Sequence, residues 1–230
     1  MKLVLMGIAM IGALACQGNA MASDWWATVA VKDWFTTYSP GGGLPNSSGN
    51  RVIPAVSVGY QRVLFTLAGQ LKDNYHNPSY PAGTITHTGA AANLGYILTP
   101  EIVLAAGIRN QQTSSPNIGN TNFNYEHIMF YTGGISVNHP IENSGYYING
   151  NVAYGKGKTS ELVNGILGSV NGTYLAYEFG GGYSFNKAFK AGLGYRYERF
   201  DNLLHTNNGL DYQMFGAKMQ GTDISLSYAF

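Results

Sequence analysis

Beyond residue 22 the chain alternates apolar side chains with small or polar ones in one short segment after another. No stretch there is apolar for the roughly 18 residues that a helical membrane span requires. A period of two is the period of a β-strand, whose side chains point to opposite faces in turn. The last eight residues show it plainly: Ile224, Leu226, Tyr228 and Phe230 fall on one face, and Asp223, Ser225, Ser227 and Ala229 on the other. Such a chain folds into amphipathic sheet, and what remains to be decided is what the apolar face meets.

Composition bears on that choice. Charged residues make up 11% of the chain, against about 25% in an ordinary soluble domain. A soluble sandwich that buried Leu193 and Tyr195 would expose Gly192 and Gly194, leaving a surface poor in charge. An apolar exterior in lipid accounts for both faces. Backbone groups in hydrocarbon must be hydrogen-bonded within the protein, and an open sheet has two unpaired edges, so the sheet has to close. The expected fold class is all-β, a closed antiparallel transmembrane β-barrel. Its 17 tyrosines and 31 glycines suit interfacial girdles and a crowded interior.

The alternating segments number about ten. The first, Trp25 to Tyr38, puts Trp25, Ala27, Val29, Val31 and Phe35 outward, and 39–50 reads as a loop. Val52, Pro54, Val56, Val58 and Tyr60 follow, with Pro54 expected near a bulge or strand end because proline gives no ladder bond. After a turn at Gln61-Arg62, Val63, Phe65, Leu67, Gly69 and Leu71 face away from Leu64, Thr66, Ala68, Gln70 and Lys72. A loop at 76–86 leads to an outward set of Thr88, Ala90, Ala92, Leu94 and Tyr96. Thr99-Pro100 then turns the chain into Ile102, Leu104, Ala106 and Ile108, which face away from Arg109.

After a polar loop at 114–122, the segment 123–138 is irregular, and Gly133-Gly134 is expected to bulge it and switch its face. A turn at 139–144, Tyr146 to Tyr154, a loop at 160–171, Leu175 to Phe185, a turn at 186–188, Phe189 to Tyr197 and a loop at 201–216 complete the series. Short turns near 61, 99, 140 and 187 alternate with long loops near 45, 80, 118, 165 and 208, which places both termini on the side of the short turns. Eight strands is the alternative, if 123–138 or an edge is misread. Pairing Phe185 with Phe189 sets Glu178 opposite Arg196 and Ser184 opposite Lys190. Glu198 and Arg109 are the other expected interior charges.

The ends carry targeting information. Lys2, the apolar run 3–15, Gln17-Gly18-Asn19 and the triplet Ala20-Met21-Ala22 have the layout of a secretory signal. Residues 1–22 are therefore expected to be cleaved, leaving 23–230 as one barrel domain. Ala13-Leu14-Ala15-Cys16 is like a lipoprotein signal but has Ala13 where leucine is preferred, so lipidation of Cys16 is not expected. The mature chain then has no cysteine and relies on hydrogen bonding and packing. Loss of Lys2 leaves 12 basic residues (13 less one) against 12 acidic ones, and such neutrality gives nucleic acid nothing to bind.

The tail Ile224, Leu226, Tyr228 and Phe230 resembles the C-terminal assembly signal of outer-membrane barrels, with Ser225 where that signal usually has glycine. Together with the architecture, it makes the mature chain similar to the small Gram-negative outer-membrane β-barrel proteins of the general OmpA and OmpX type. The resemblance implies the cell outer membrane with periplasmic termini. The implied partners are outer-membrane lipid and lipopolysaccharide and the barrel assembly machinery; an extracellular ligand is left unnamed.

Chemistry-bearing constellations are sparse. Gly157-Lys158-Thr159 lacks the upstream glycine of a phosphate loop, since Val152 stands there. His76, His87, His127 and His205 fall near the loop end with Glu126, Asp201 and Asp211, but without the spacing of a ligand pair. No enzyme, cofactor or metal is expected. The leading expectation is a non-enzymatic structural or surface-interaction protein acting through its polar outer loops. A narrow, porin-like pore is the alternative, with Gly107, Gly180, Gly182, Gly192 and Gly194 either opening a water path or making room for Tyr147, Tyr174 or Trp34. An outer-membrane hydrolase ranks third.

Overall fold

A computed structural model describes residues 25–39, 46–76, 84–114, 123–163, 166–202, 205–207, 210–212 and 216–230. The expected signal segment 1–22, Cys16 included, lies outside the described residues. Ten long strands are present: β1 (Trp25–Ser39), β2 (Ser47–Tyr60), β3 (Val63–His76), β4 (Thr84–Thr99), β5 (Ile102–Ser114), β6 (Phe123–Pro140), β7 (Tyr146–Val163), β8 (Ile166–Ser184), β9 (Phe189–Asn202) and β12 (Ala217–Ala229). They pair in the closed order β1-β12-β9-β8-β7-β6-β5-β4-β3-β2. The short strands β10 (His205–Asn207) and β11 (Leu210–Tyr212) form a separate ribbon. The barrel therefore has ten strands and not eight.

The ladder fixes the barrel's geometry. Hydrogen-bonded partners lead from Ser39 through Lys218, Arg199, Leu175, Tyr154, Gly133, Ala106, Leu94, Phe65 and Val58 to Ala27. One circuit thus returns to β1 displaced by 12 residues (39 less 27). A stagger of this size requires strands tilted by about 40°. The outward face is apolar between two aromatic rows. Trp25, Tyr60, Tyr146, Phe185 and Phe230 ring the turn end, and Phe35, Tyr131, Tyr154 and Tyr177 the other, all exposed. Eight to ten tilted residues separate the rows on β1, β7 and β8, which at about 3.3 Å each rise about 20–25 Å, close to the height of a lipid-facing band.

The short turns have local causes. Gln61 adopts φ 52° and opens the two-residue turn between β2 and β3. Asn186 Oδ1 accepts from the backbone N–H groups of Ala188 and Phe189, each at 2.8 Å, and so closes the β8–β9 turn. The register expected across that turn is the observed one, with Glu178 opposite Arg196 and Ser184 opposite Lys190. Pro54 sits where expected, at the interruption of the β2–β3 ladder between Ser48 and Ala55.

Five expectations are corrected. Gly133-Gly134 makes no bulge: the ladders on both sides of β6 run through it without a shift, and the irregularity lies at Phe123–Tyr125. Gly133 is an outward position lacking a side chain, while Ile128 and Phe130 are apolar yet buried inside, which together imitate a change of phase. The bulge is in β3 instead, between Gln70 and Asp73. It leaves Lys72 exposed and turns Asp73 inward, the reverse of simple alternation. The described residues of 160–171 are strand and not loop, because β7 and β8 stay paired as far as Val163 and Ile166. Likewise β2 begins at Ser47, inside the expected 39–50 loop, and the 201–216 loop carries the β10–β11 ribbon. These segments stand beyond the apolar band, where nothing forces the alternation that makes a strand readable.

Candidate functional site

The interior is layered from the turn end upward. Trp26, Leu64, Ile97 and Val103 form an apolar floor. Above it, inward positions of all ten long strands supply buried polar or charged side chains. At the loop end Trp34, Tyr38, Tyr75, Phe130, Tyr174, Phe200 and Met219 make a second apolar layer, none more than 6% exposed.

Among the described residues the buried interior charges balance, with Lys32, Arg51, Arg109 and Arg196 against Asp73, Glu178, Glu198 and Asp223. Glu198 is the hub. It accepts from Arg109 Nη1 and Nη2 at 3.0 and 2.8 Å, from Arg196 Nε at 2.9 Å and from the Tyr174 hydroxyl at 3.1 Å. A further short bond comes from Arg196 Nη2. Glu178 accepts from Lys32 and, at 3.3 Å, from Arg196 Nη1, while Lys32 also lies 3.1 Å from Asp223. In the second group Arg51 Nε donates to Asp73 at 2.6 Å, and Asp73 also accepts from the His87 backbone N–H at 2.8 Å. Aromatic faces enclose the guanidinium groups: Arg51 lies 5.6 Å and Arg196 5.2 Å from the Trp34 ring centroid, and Arg109 lies 4.8 Å from that of Tyr174.

The expected interior residues Arg109, Glu178, Arg196 and Glu198 therefore share one network. Lys190 stands apart, half-buried near the turn end, with its Nζ 5.7 Å from the Tyr147 ring. Sequence reading missed Lys32, Arg51 and Asp73 as interior charges and left Asp223 only within a polar face. Lys32 shares parity with the small inward residues Thr28 and Ala30, and Arg51 with Ala55 and Ser57, so both were findable. Asp73 was hidden by the bulge. The tail residues Ile224, Leu226, Tyr228 and Phe230 all face outward.

The glycines provide room rather than a channel. A Cβ on Gly182 or Gly192 would come within 2.4 or 2.8 Å of the Tyr147 hydroxyl, one on Gly107 within 2.2 Å of Asn93 Oδ1, and one on Gly194 within 3.1 Å of Asp223 Oδ2. Gly180 instead faces the backbone of Leu193. Beside Lys32, Glu178 and Asp223 a cavity of about 50 Å³ remains, bordered by Asn149 and Ser225. It has space for one or two waters and for no hydrated ion.

The histidines do not converge. His87 is buried inside, its Nδ1 2.9 Å from Thr113 Oγ1, between the rings of Tyr38 and Tyr75. His127 lies on the opposite, outward face of the wall, and Asp201 pairs with Arg199 at 2.7 Å. The side chains of His76, Glu126, His205 and Asp211 lie outside the described residues. Among the described residues no three His, Cys, Asp or Glu side chains form a metal-binding group.

In chemical terms Glu198 is the saturated point of the network, while Arg51 Nη2, Arg109 Nε and Asp223 Oδ2 are buried without a hydrogen-bond partner among the described residues. Arginine does not give up its proton, and the Glu198 carboxylate is fully occupied by donors. Three carboxylates and three cations share the Glu178 neighbourhood, so removing one charge leaves another unpaired. Glu178→Gln is expected to lower the thermal unfolding midpoint more than the double change Glu178→Gln with Arg196→Met. The double variant retains the matched pairs Lys32–Asp223 and Arg109–Glu198. Thermal melts in detergent micelles check this, and equal losses would show that the charges act independently.

No family model matches the chain, and no curated protein matches it. Solved structures do. The outer membrane protease OmpT from Escherichia coli aligns over 90% of this chain and 96% of its own, with a TM-score of 0.54 at 12% identity. The fold is that of an outer-membrane β-barrel. Neisserial surface protein A aligns over 90% of this chain and 98% of its own, with a TM-score of 0.43 at 10% identity. The attachment invasion locus protein Ail of Yersinia pestis aligns over 90% and 100%, with a TM-score of 0.37 at 12% identity. At these identities the likeness to OmpT concerns architecture alone, and the two lower scores add nothing to it.

Proposed function

We propose that this chain is an integral protein of a Gram-negative outer membrane that works through its exterior and its outer loops, as a sealed, non-enzymatic barrel with a structural or surface-interaction role. Its termini and short turns face the periplasm in this reading, and the loop end faces outward. The observation that carries the proposal is the filled interior: among the described residues a charge-compensated network lies between two apolar layers and occupies the lumen. Ten strands are also close to the eight whose interior side chains fill, and far from the 16 or more of open porins.

The polar cavity favours a narrow pore as the second reading, but its volume is that of a water or two. Refolded protein in planar bilayers is expected to show no steady conductance at either of two salt concentrations. Discrete steps that scale with salt would replace the sealed barrel by the pore. OmpT is a protease, and a screen of peptide and lipid A hydrolysis tests whether this chain shares more with it than a scaffold; turnover of either substrate would overturn the non-enzymatic reading.

A further inference from the structure

The outward face changes character above β6, β7 and β8. On β7 the apolar outward series ends at Tyr154, and the next two outward positions are Lys156 and Lys158, both exposed. Their partners across the ladders are Tyr131 and Thr173 for Lys156, and Met129 and Asn171 for Lys158. All four are uncharged. Neither lysine pairs with a carboxylate among the described residues, whereas Arg199, elsewhere on the same rim, is matched by Asp201 at 2.7 Å. Two residues on one face of a strand are about 7 Å apart, so both ammonium groups can reach one anion.

Beneath the lysines the wall is shallow. Gly133 pairs directly with Tyr154, and Gly150 lies further down β7. Both point outward. A Cβ on Gly133 would find its nearest neighbour, the Ala105 carbonyl oxygen, only at 4.0 Å, and one on Gly150 would find the Glu178 carbonyl oxygen at 3.6 Å. Gly133 therefore leaves a gap in the lipid-facing surface beside the exposed Tyr131 and Tyr154 rings, and Gly150 leaves a second gap lower on β7, with the exposed pair Ile135 and Val152 between them. Two unmatched cations above an indented apolar face are complementary to an amphiphile with a phosphorylated head and a hydrocarbon tail.

We propose that Lys156 and Lys158 hold a phosphate of a lipopolysaccharide molecule at the loop end, with an acyl chain running down the apolar face past the gaps at Gly133 and Gly150. The site rests on the outer-membrane reading and its outward loop end, because that leaflet brings the phosphates to the height of the two lysines. Binding to the folded barrel alone raises its stability by mass action.

The test uses the refolded mature chain in detergent micelles, with purified lipopolysaccharide as the probe and the thermal unfolding midpoint as the readout. Lipopolysaccharide is expected to raise the midpoint by several degrees. Dephosphorylated lipopolysaccharide and phosphatidylglycerol are expected to do so much less. K156Q/K158Q is expected to keep the midpoint seen in micelles alone and lose the rise, G133V/G150V to reduce it, and R62Q, at the opposite rim, to retain it. An undiminished rise in K156Q/K158Q, or an equal rise with phosphatidylglycerol, would overturn the site while leaving the barrel intact. A chain that needs no detergent and migrates alike whether heated or not would instead overturn the underlying reading.

Discussion

Glu198→Gln is expected to destabilise the barrel by about 3–5 kcal/mol, the usual cost of removing one partner from a buried ion pair. The substitution barely alters shape. It removes the charge that faces Arg109 and Arg196 together, two guanidinium groups no more than 6% exposed. Neither has water to turn to, and Glu178 already serves Lys32 as well as Arg196. Denaturant unfolding in micelles measures the loss. Pairing Glu198→Gln with Arg109→Met restores the count of charges and is expected to recover part of it. A single variant as stable as the parent would mean that the interior is wet enough to screen its charges.

The second large effect concerns closure. Gly221 lies on the seam between the first and last strands, opposite Thr36. An added Cβ would fall 1.7 Å from the Phe35 carbonyl oxygen, and the Gly221 carbonyl already accepts from Trp34 Nε1 at 3.1 Å. Backbone cannot swing aside as a flexible side chain can, so Gly221→Val is expected to prevent the seam from forming. The mature variant then yields no fast-migrating folded band on an unheated gel. Gly150→Val, whose nearest neighbour would be 3.6 Å away, is expected to fold and serves as the control. A folded band from Gly221→Val would show that the seam can shift.

Much of this architecture was legible because lipid imposes a simple rule on one face. Val56 and Val58, Leu104 and Ile108, Tyr177 and Phe179 all sit where period two puts them, and the β8–β9 register follows from one turn. The rule lapses where lipid is absent. In the 160–171 stretch the apolar residues Leu162 and Val163, and Ile166 and Leu167, fall in adjacent pairs rather than alternating, so nothing in its pattern separates paired strand from loop. The interior was less legible for a different reason. A charge at an inward position states its face but not its partner, which here comes from strands far away in sequence: Lys32 meets Glu178, and Arg109 meets Glu198. Asp73 was beyond reach, because a single extra residue in β3 reverses its side and leaves no mark in composition.

The pairing of Lys32 with Glu178 and Asp223 also bears on how the chain is put together. Lys32 belongs to the first strand, and its two carboxylate partners to β8 and to the last strand. Until the final strand arrives, the growing sheet holds an ammonium group with half of its counterions missing, next to unsatisfied backbone along both margins. Intermediates that stop short of the C-terminus are penalised twice, once in electrostatics and once in hydrogen bonding. Assembly is therefore pushed toward an all-or-none event, completed when residue 223 reaches residue 32.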